Sequence, residues 1–164
     1  MARMDEHRLD ARELRAWRAF FHMQELLRGR IEQQLQADSG LSNADYTVLV
    51  AVSEAPDGRL RAFHLCDELG WHKSRLHHQL TRMCTRGLVE RHSGGSRAIF
   101  VTITAKGAAA LRDAAPSHSR EVRRLVIDRL TPDQLDRLGE ISATILAGLG
   151  ADAQEDAQVD AAAD

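Results

Sequence analysis

The sequence contains little cysteine and no long apolar run, and both absences limit what the protein can be. Two cysteines among 164 residues, Cys66 and Cys84, cannot supply the disulfide framework of a small secreted domain. The longest apolar run, 48–52, is far shorter than the roughly 18 residues that a membrane span requires. The amino terminus carries charges of both signs and leads into no signal-peptide core. We therefore expect a cytoplasmic protein without a membrane partner.

Sequence motifs of enzymes are also absent. There is no glycine-rich phosphate loop after a strand, no nucleophile elbow, and no pair of carboxylates set apart from helix surfaces. The length suits one compact domain with helical extensions and excludes a large multidomain enzyme. We predict that the protein is not an enzyme and that it needs no cofactor.

Basic residues are concentrated in the middle of the chain. The segment 59–97 holds eight lysines and arginines against three acids, a net charge of +5. The whole chain has a net charge of −2, so the remainder carries −7. Five of the eight histidines also fall within this segment. Such a local excess of positive charge predicts a surface that faces a polyanion.

The basic segment has the pattern of a helix-turn-helix followed by a β hairpin. The predicted elements are helices over 63–69 and 72–86 and strands over 88–92 and 98–103. Gly70 lies in the short turn between the two helices, as is typical of a helix-turn-helix, and the strands are joined by a glycine loop. On the first helix, Phe63, Cys66 and Leu69 are expected to face the core.

Long amphipathic helices flank this segment. One is predicted over 9–37, a second begins at Thr104 and runs to about residue 129, and a third begins at Thr131. Their apolar stripes are too large for a small lobe to cover, and a symmetric dimer is the commonest way to bury such surface. After Gly150 the chain holds acids and alanines with no basic residue, which predicts a disordered tail.

These patterns predict a mainly α fold with a small β wing, of the α+β class. It would consist of a winged helix-turn-helix lobe and a helical dimerisation region formed by both ends of the chain. The predicted parts are an N-terminal dimerisation helix over 1–40, a DNA-binding lobe over 41–104, C-terminal dimerisation helices over 105–149 and an acidic disordered tail over 150–164.

The second helix of the motif carries side chains that suit DNA, because this helix enters the major groove. With Leu76, Leu80 and Met83 facing the core, polar residues occupy its outer half. Arginine can form two hydrogen bonds with a guanine edge, and serine, threonine and histidine can donate to bases or phosphates. The candidate DNA-binding residues are Lys73, Ser74, Arg75, His77, His78, Thr81 and Arg82 on the helix, with Arg91 and Arg97 on the wing. Lys73 and His77 are expected to contact phosphates, and Arg97 the minor groove.

Several stretches of the sequence resemble the MarR family of winged-helix transcriptional regulators. They are LRAFHLCDELGWHKSRL over 60–76, RGLV over 86–89 and VTITAKG over 101–107, within a likeness that spans about 14–149. The resemblance implies a homodimer with interlocked terminal helices, an inverted-repeat operator and often a small ligand that weakens DNA binding. The family wing usually carries acids beside two arginines, whereas SGGSR over 93–97 retains only Arg97. The minor-groove role therefore carries over to Arg97 alone.

We expect a sequence-specific regulator that binds double-stranded DNA, acts as a homodimeric repressor and is released by a small-molecule effector. One alternative is a metal- or redox-responsive regulator of the same fold. The histidines and cysteines lack the paired spacing of a structural zinc site, so no metal is expected, although His22 and His118 remain candidates for lining a ligand or metal pocket. A second alternative is a helical protein-interaction module that binds no DNA. The concentrated positive charge favours DNA binding, because such a module has no need of it.

Overall fold

A computed structural model describes residues 8–94 and 98–162, with the backbone alone for 151–162. The helices are α1 (Ala11–Ser39), α2 (Asn43–Glu54), α3 (Ala62–Leu69), α4 (Lys73–Thr85), α5 (Ala105–Leu125) and α6 (Pro132–Ala162). The strands are β1 (Arg59–Arg61), β2 (Val89–Ser93) and β3 (Ile99–Ile103), and Pro56–Gly58 and Ile127–Arg129 form short 3₁₀ turns. The mainly helical fold with a small sheet confirms the predicted fold class.

Capping residues define where the helices begin. Ser42 and Asp45 form a reciprocal capping box at the start of α2, with each side chain accepting from the backbone N–H of the other. Thr131 and Gln134 do the same before α6, as the sequence predicts. Helix α1 begins with a third box, at Asp10. The starts of these three helices are therefore determined by residues close to them in the sequence.

Most of the core lies within the predicted DNA-binding lobe, with contributions from α1 and α5. Its fully buried side chains come from the end of α1, the loop that follows, helices α2, α3 and α4, and both wing strands; the largest are Leu35, Leu41, Leu49, Leu65, Met83, Val48, Val52, Val89 and Val101. One expected member is missing, because Phe63 is 60% exposed and Leu65 is buried in its place. The predicted inner face of α3 is therefore wrong at Phe63.

The wing belongs to a three-stranded antiparallel sheet of order β1-β3-β2. Central strand β3 pairs Val101 with Leu60 of β1 and with Arg91 of β2. The sequence predicts the β2–β3 hairpin but not β1, which joins the sheet immediately before α3. This third strand ties the start of the helix-turn-helix to the wing.

The C-terminal part of the chain differs from the prediction at two places. Helix α5 ends at Leu125, before the predicted end near residue 129, and a separate 3₁₀ turn follows. Helix α6 continues to Ala162, so the disordered tail predicted from residue 150 is corrected to helix over 150–162. Alanine has the highest intrinsic helix propensity, which explains why an apolar stripe is not needed there. Residues 163–164 of the predicted tail lie outside the described residues.

The chain forms two compact units, one reaching to Glu121 and one beginning at Val122. The first contains the helix-turn-helix, the sheet and α1; the second contains α6. No helix in the described part of the chain is both long and apolar enough to cross a membrane.

Candidate nucleic-acid interface

Helix α4 separates a buried face from a polar, exposed face. Leu76, Leu80 and Met83 are buried against the core, as predicted, and Gln79 is buried with them. The exposed positions are Lys73, Ser74, Arg75, His77, His78, Thr81, Arg82 and Thr85. All seven α4 residues of the predicted set are therefore accessible to a partner, and contact with DNA stays a prediction for each.

Gly70 sets the direction in which α4 leaves α3. Its φ of 61° lies in the left-handed region, which glycine adopts without steric cost. The N–H of Trp71 then donates to the carbonyl of Cys66 at 3.0 Å and closes the turn. His72 precedes α4 without capping it by its side chain, so backbone N–H groups of the first turn remain available. Such a helix start suits a phosphate oxygen.

Both arginines of α4 contact neighbouring side chains of the protein. The guanidinium carbon of Arg75 lies 4.2 Å from the centre of the Trp71 ring. Nη2 of Arg82 donates a hydrogen bond to Oε1 of Gln79. Because arginine has five N–H donors, one such contact leaves donors for a second partner. The two side chains are held in place and can still bind a base or a phosphate.

The wing contacts α4 through Arg91. This exposed residue of β2 places Nη2 3.4 Å from Oγ1 of Thr81, whose hydroxyl donates to the carbonyl of His77 at 2.9 Å. Thr81 is thus engaged with the protein on both sides. Residues 95–97 lie outside the described residues, so the predicted role of Arg97 stays a prediction from sequence.

Two further cations lie on β1, where sequence reasoning placed no site residue. The guanidinium carbons of Arg59 and Arg61 lie 3.7 and 5.4 Å from the centre of the Phe100 ring. Both residues are exposed, on the face opposite the half-buried Leu60. The signal that could have included them is their place in the basic segment 59–97. Phe100 itself packs so close to Gly94 that a Cβ there would lie 2.5 Å from the ring.

A buried polar network lies directly beneath α4. Asp45, 3% exposed, accepts from Nε2 of Gln79 at 2.8 Å and from Nη1 of Arg86 at 2.6 Å, besides its capping bond. Arg86 also donates to the carbonyl of Gly40 at 2.7 Å. The network joins the end of α1, the start of α2 and the inner side of α4. Sequence reasoning missed it, because Asp45 and Gln79 lie 34 positions apart.

A cavity of about 520 Å³ lies between α3, the first half of α4 and the wing. Its apolar lining includes Phe63, Leu76 and Ile99. Cationic side chains line it as well, among them Lys73 and Arg91. Three of the predicted DNA-binding residues, Lys73, His77 and Arg91, therefore also border a pocket with space for a small molecule.

His118 is half-buried, whereas the other histidines that the structure describes are exposed. Its ring packs against Tyr46 with centroids 4.3 Å apart, and its Nδ1 is buried without a hydrogen-bond partner among the described residues. Burial lowers the pKa of the His118 imidazole below its ordinary value. His22 is exposed on α1. The two histidines lie on different helices.

The metal and redox alternatives gain no support from side-chain geometry. No group of three histidine, cysteine or acidic residues that could hold a metal occurs in 8–94 or 98–150. Burial is the main cause that raises the pKa of the Cys66 thiol, with Asp67 adding to it and Lys73 opposing it. A raised pKa lowers the thiolate fraction and hence the reactivity of Cys66.

Comparison with known proteins identifies relatives with this architecture. The model of the MarR family matches residues 39–98. Sco3205 of Streptomyces coelicolor, a MarR family transcriptional regulator solved in complex with DNA, is 38% identical with a TM-score of 0.84, over 87% of this chain and 94% of that chain. AbsC, a MarR family transcriptional regulator from the same organism, is 37% identical with a TM-score of 0.82, over 87% and 97% of the two chains.

More distant structures share the fold alone. The MepR–DNA complex of S. aureus is 14% identical with a TM-score of 0.72, over 80% of this chain and 95% of that chain. No curated protein is matched by the sequence.

Proposed function

The chain belongs to the MarR family of transcriptional regulators, and we propose that it regulates transcription by binding a specific site in double-stranded DNA. This family consists of transcription regulators rather than enzymes, which confirms the prediction that the chain is not an enzyme. The observation that carries the proposal is α4, whose buried face is fixed in the core while its other face exposes eight polar side chains. Sco3205, similar over most of its length, was solved bound to DNA. We place the activity in the cytoplasm.

The roles of the α4 side chains follow from their position and hydrogen-bonding capacity. Arg75 and Arg82 read guanine edges in the major groove, because each presents a positioned guanidinium. Ser74, His78 and Thr81 contact bases or phosphates nearby. Lys73 and His77 bind the sugar-phosphate backbone, and Arg91 supports them from the wing. Arg97 completes the set in the minor groove, on the sequence pattern alone.

The active form is a homodimer, built by the predicted dimerisation parts over 1–40 and 105–149 around the lobe over 41–104. Helix α1 exposes large apolar side chains that a monomer leaves in water: Trp17, Phe20, Phe21, Met23 and Leu26. Helix α6 separately exposes Leu135, Ile141, Ile145, Leu146 and Leu149. Exposed apolar surface of this extent marks an interface, and a symmetric pair of lobes reads an inverted repeat.

Repression and its release are the finer part of the proposal. A bound dimer would exclude other proteins from its site, and an effector that favours the free form would reverse this by mass action. The 520 Å³ cavity beside α4 supports an effector, because its occupant would contact Lys73 and Arg91. Its apolar lining and cationic groups suit a small organic anion.

Selection of bound sequences from a random duplex pool tests the proposal. We expect an inverted repeat whose half-sites lie about 10 base pairs apart, and a mass of two chains per bound duplex by light scattering. Arg75→Ala and Arg82→Ala should each cost about 1–3 kcal/mol and relax the preference at defined base pairs. Arg112→Ala is the matched control, because Arg112 is an exposed arginine of α5, outside the helix-turn-helix and beside Asp113. A monomer that recovers no preferred sequence at low salt would contradict the proposal.

A further inference from the structure

We propose that Asp45, a buried residue of α2, positions Arg82 for base recognition through the side-chain amide of Gln79. This inference rests on the proposed function and names a residue that sets specificity without touching DNA. Asp45 is 3% and Gln79 2% exposed, so neither can reach a bound duplex. Arg82, by contrast, lies on the exposed face of α4.

The carboxylate of Asp45 is surrounded by donors that fix its orientation. Its Oδ2 accepts from the Ser42 N–H at 2.9 Å and from Nη1 of Arg86 at 2.6 Å. Its Oδ1 accepts from Nε2 of Gln79 at 2.8 Å. A buried acceptor with all three donors in place tolerates little rearrangement, because any bond lost leaves a desolvated polar atom.

The orientation of the Gln79 amide follows from this carboxylate. A carboxylate only accepts hydrogen bonds, so the NH₂ end of the amide must face Asp45. Oε1 then faces away, where it accepts from Nη2 of Arg82. Asp45 thus determines that an acceptor, rather than a donor, meets the guanidinium of Arg82.

The Gln79 acceptor matters for base recognition because it limits the orientations of the Arg82 side chain. An arginine without such a contact can reach many phosphates instead of one base edge. Two parallel hydrogen bonds to a guanine edge require a fixed guanidinium plane. Gln79 holds one edge of that plane and leaves other N–H groups for the base. Arg75 has an unrelated support, the ring of Trp71, and serves as an internal reference.

Two single substitutions should each disturb the contact between position 79 and Arg82 by a different route. In Asp45→Asn, the carboxamide oxygen stays with Ser42 and Arg86, so its NH₂ group faces Gln79. The Gln79 amide must then rotate, and its own NH₂ group meets Arg82. In Gln79→Glu, two carboxylates meet in a buried site and repel each other.

The double substitution Asp45→Asn with Gln79→Glu should restore the arrangement. One oxygen of the new glutamate accepts from the asparagine NH₂ group, and the other accepts from Arg82. The summed charge of positions 45 and 79 is the same as in the native protein. A purely structural role for Asp45 gives no reason for this reciprocal rescue.

The measurement is base discrimination by fluorescence anisotropy. The operator selected with the native protein is changed one base pair at a time, and the base pairs read by Arg82 and Arg75 are those whose preference Arg82→Ala or Arg75→Ala abolishes. A good arginine–guanine contact discriminates by about 5- to 150-fold. We expect each single variant to retain less than about a third of the native ratio at the Arg82 base pair, and the double variant to return within about twofold. The ratio at the Arg75 base pair should stay within about twofold in all three.

Folding is monitored by thermal unfolding, and Gln79→Met gives a further variant of similar shape that lacks the acceptor. It should lose the Arg82 preference in a folded protein even where Asp45→Asn is unstable. Full preference at the Arg82 base pair in Gln79→Met or Asp45→Asn, no rescue in the double variant, or no preference lost in Arg82→Ala would each overturn the inference. All three leave the proposed function standing if the native protein binds its operator. A native protein that binds no duplex contradicts both.

Discussion

Among the glycines that the structure describes, Gly107, in the first turn of α5, is the one where the fold most strictly excludes a side chain. A Cβ there would lie 2.0 Å from the carbonyl oxygen of Leu88 and 3.1 Å from Cγ1 of Ile103. The same carbonyl accepts from the backbone N–H of Thr104 at 3.2 Å and from its hydroxyl at 3.1 Å. In Gly107→Ala, the start of α5 and the backbone of Leu88, just before β2, must separate by more than about 1 Å, because packed atoms do not overlap.

The expected cost of Gly107→Ala combines overpacking and weakened hydrogen bonds. Overpacking typically costs about 1–3 kcal/mol, and a hydrogen bond lost at Thr104 adds about 1 kcal/mol. For a chain of this size, 1 kcal/mol lowers the Tm by roughly 2–4 °C, so we expect a decrease of roughly 5–15 °C. Calorimetry at one fixed protein concentration measures it, since dimer formation makes the Tm concentration-dependent.

Gly29→Ala is the matched control for this substitution. Gly29 lies in the interior of α1, and no atom lies within 4 Å of the place that an added methyl group would take. Alanine should therefore stabilise the helix by about 0.4–1 kcal/mol. The same chemical change thus has opposite signs at two sites. A Gly107→Ala protein as stable as the native one would refute the close approach of α5 to Leu88.

Three further predictions concern single side chains. The pKa of His118 is lowered from an ordinary 6.5, so the unfolded chain binds more protons than the folded protein as the pH falls through that region, and the protein loses stability there. His118→Phe keeps a ring against Tyr46 and should therefore show a smaller drop in Tm between about pH 7.5 and 5.5 than the native protein. Equal drops would contradict the assignment to His118. Trp71→Ala removes the ring beneath Arg75, a contact worth about 0.5–1 kcal/mol, so operator affinity should fall about two- to fivefold, whereas unchanged affinity would show that the stacking is dispensable. Because burial raises the pKa of the Cys66 thiol, iodoacetamide should label it far more slowly in the native protein than in urea, and peptide mapping that found equal labelling would revive a redox role.

Local signals explain how much of the fold the sequence predicts. Capping boxes, a turn glycine and apolar spacing act over a few residues, and the helices they predict are present. Strand β1 has only three residues, too few for a period of two to be recognised. Helix α3 has only eight residues, about two turns, so spacing alone does not decide whether Phe63 or Leu65 faces the core. In the structure, Leu65 is the buried residue of the two and packs in the same core cluster as Val101.

The candidate site is likewise predictable from the sequence only in part. Three inward apolar residues of α4 fix its orientation, and the exposed set follows from the helix geometry. The supports beneath that set do not follow, because they depend on contacts between distant positions. In the sequence, nothing distinguishes Gln79 from the other polar residues of α4. Only the structure shows that its Nε2 lies 2.8 Å from Oδ1 of Asp45. Arg91 likewise meets Thr81 only after the hairpin folds back on α4.

The supported side chains of α4 bear on how the interface achieves affinity. A long, flexible side chain loses up to about 2 kcal/mol of rotamer entropy when it is fixed, and a binding surface made of free arginines incurs this loss at each one. Here Arg75 lies on Trp71, Arg82 is bonded to Gln79, and Thr81 is bonded on both sides before any partner arrives. Part of this side-chain entropy is therefore lost during folding, before DNA binds, and is included in the folding free energy of the lobe. Substitutions of the supports should weaken operator binding while leaving every proposed DNA-binding residue in place, which distinguishes a preorganised surface from a merely basic one.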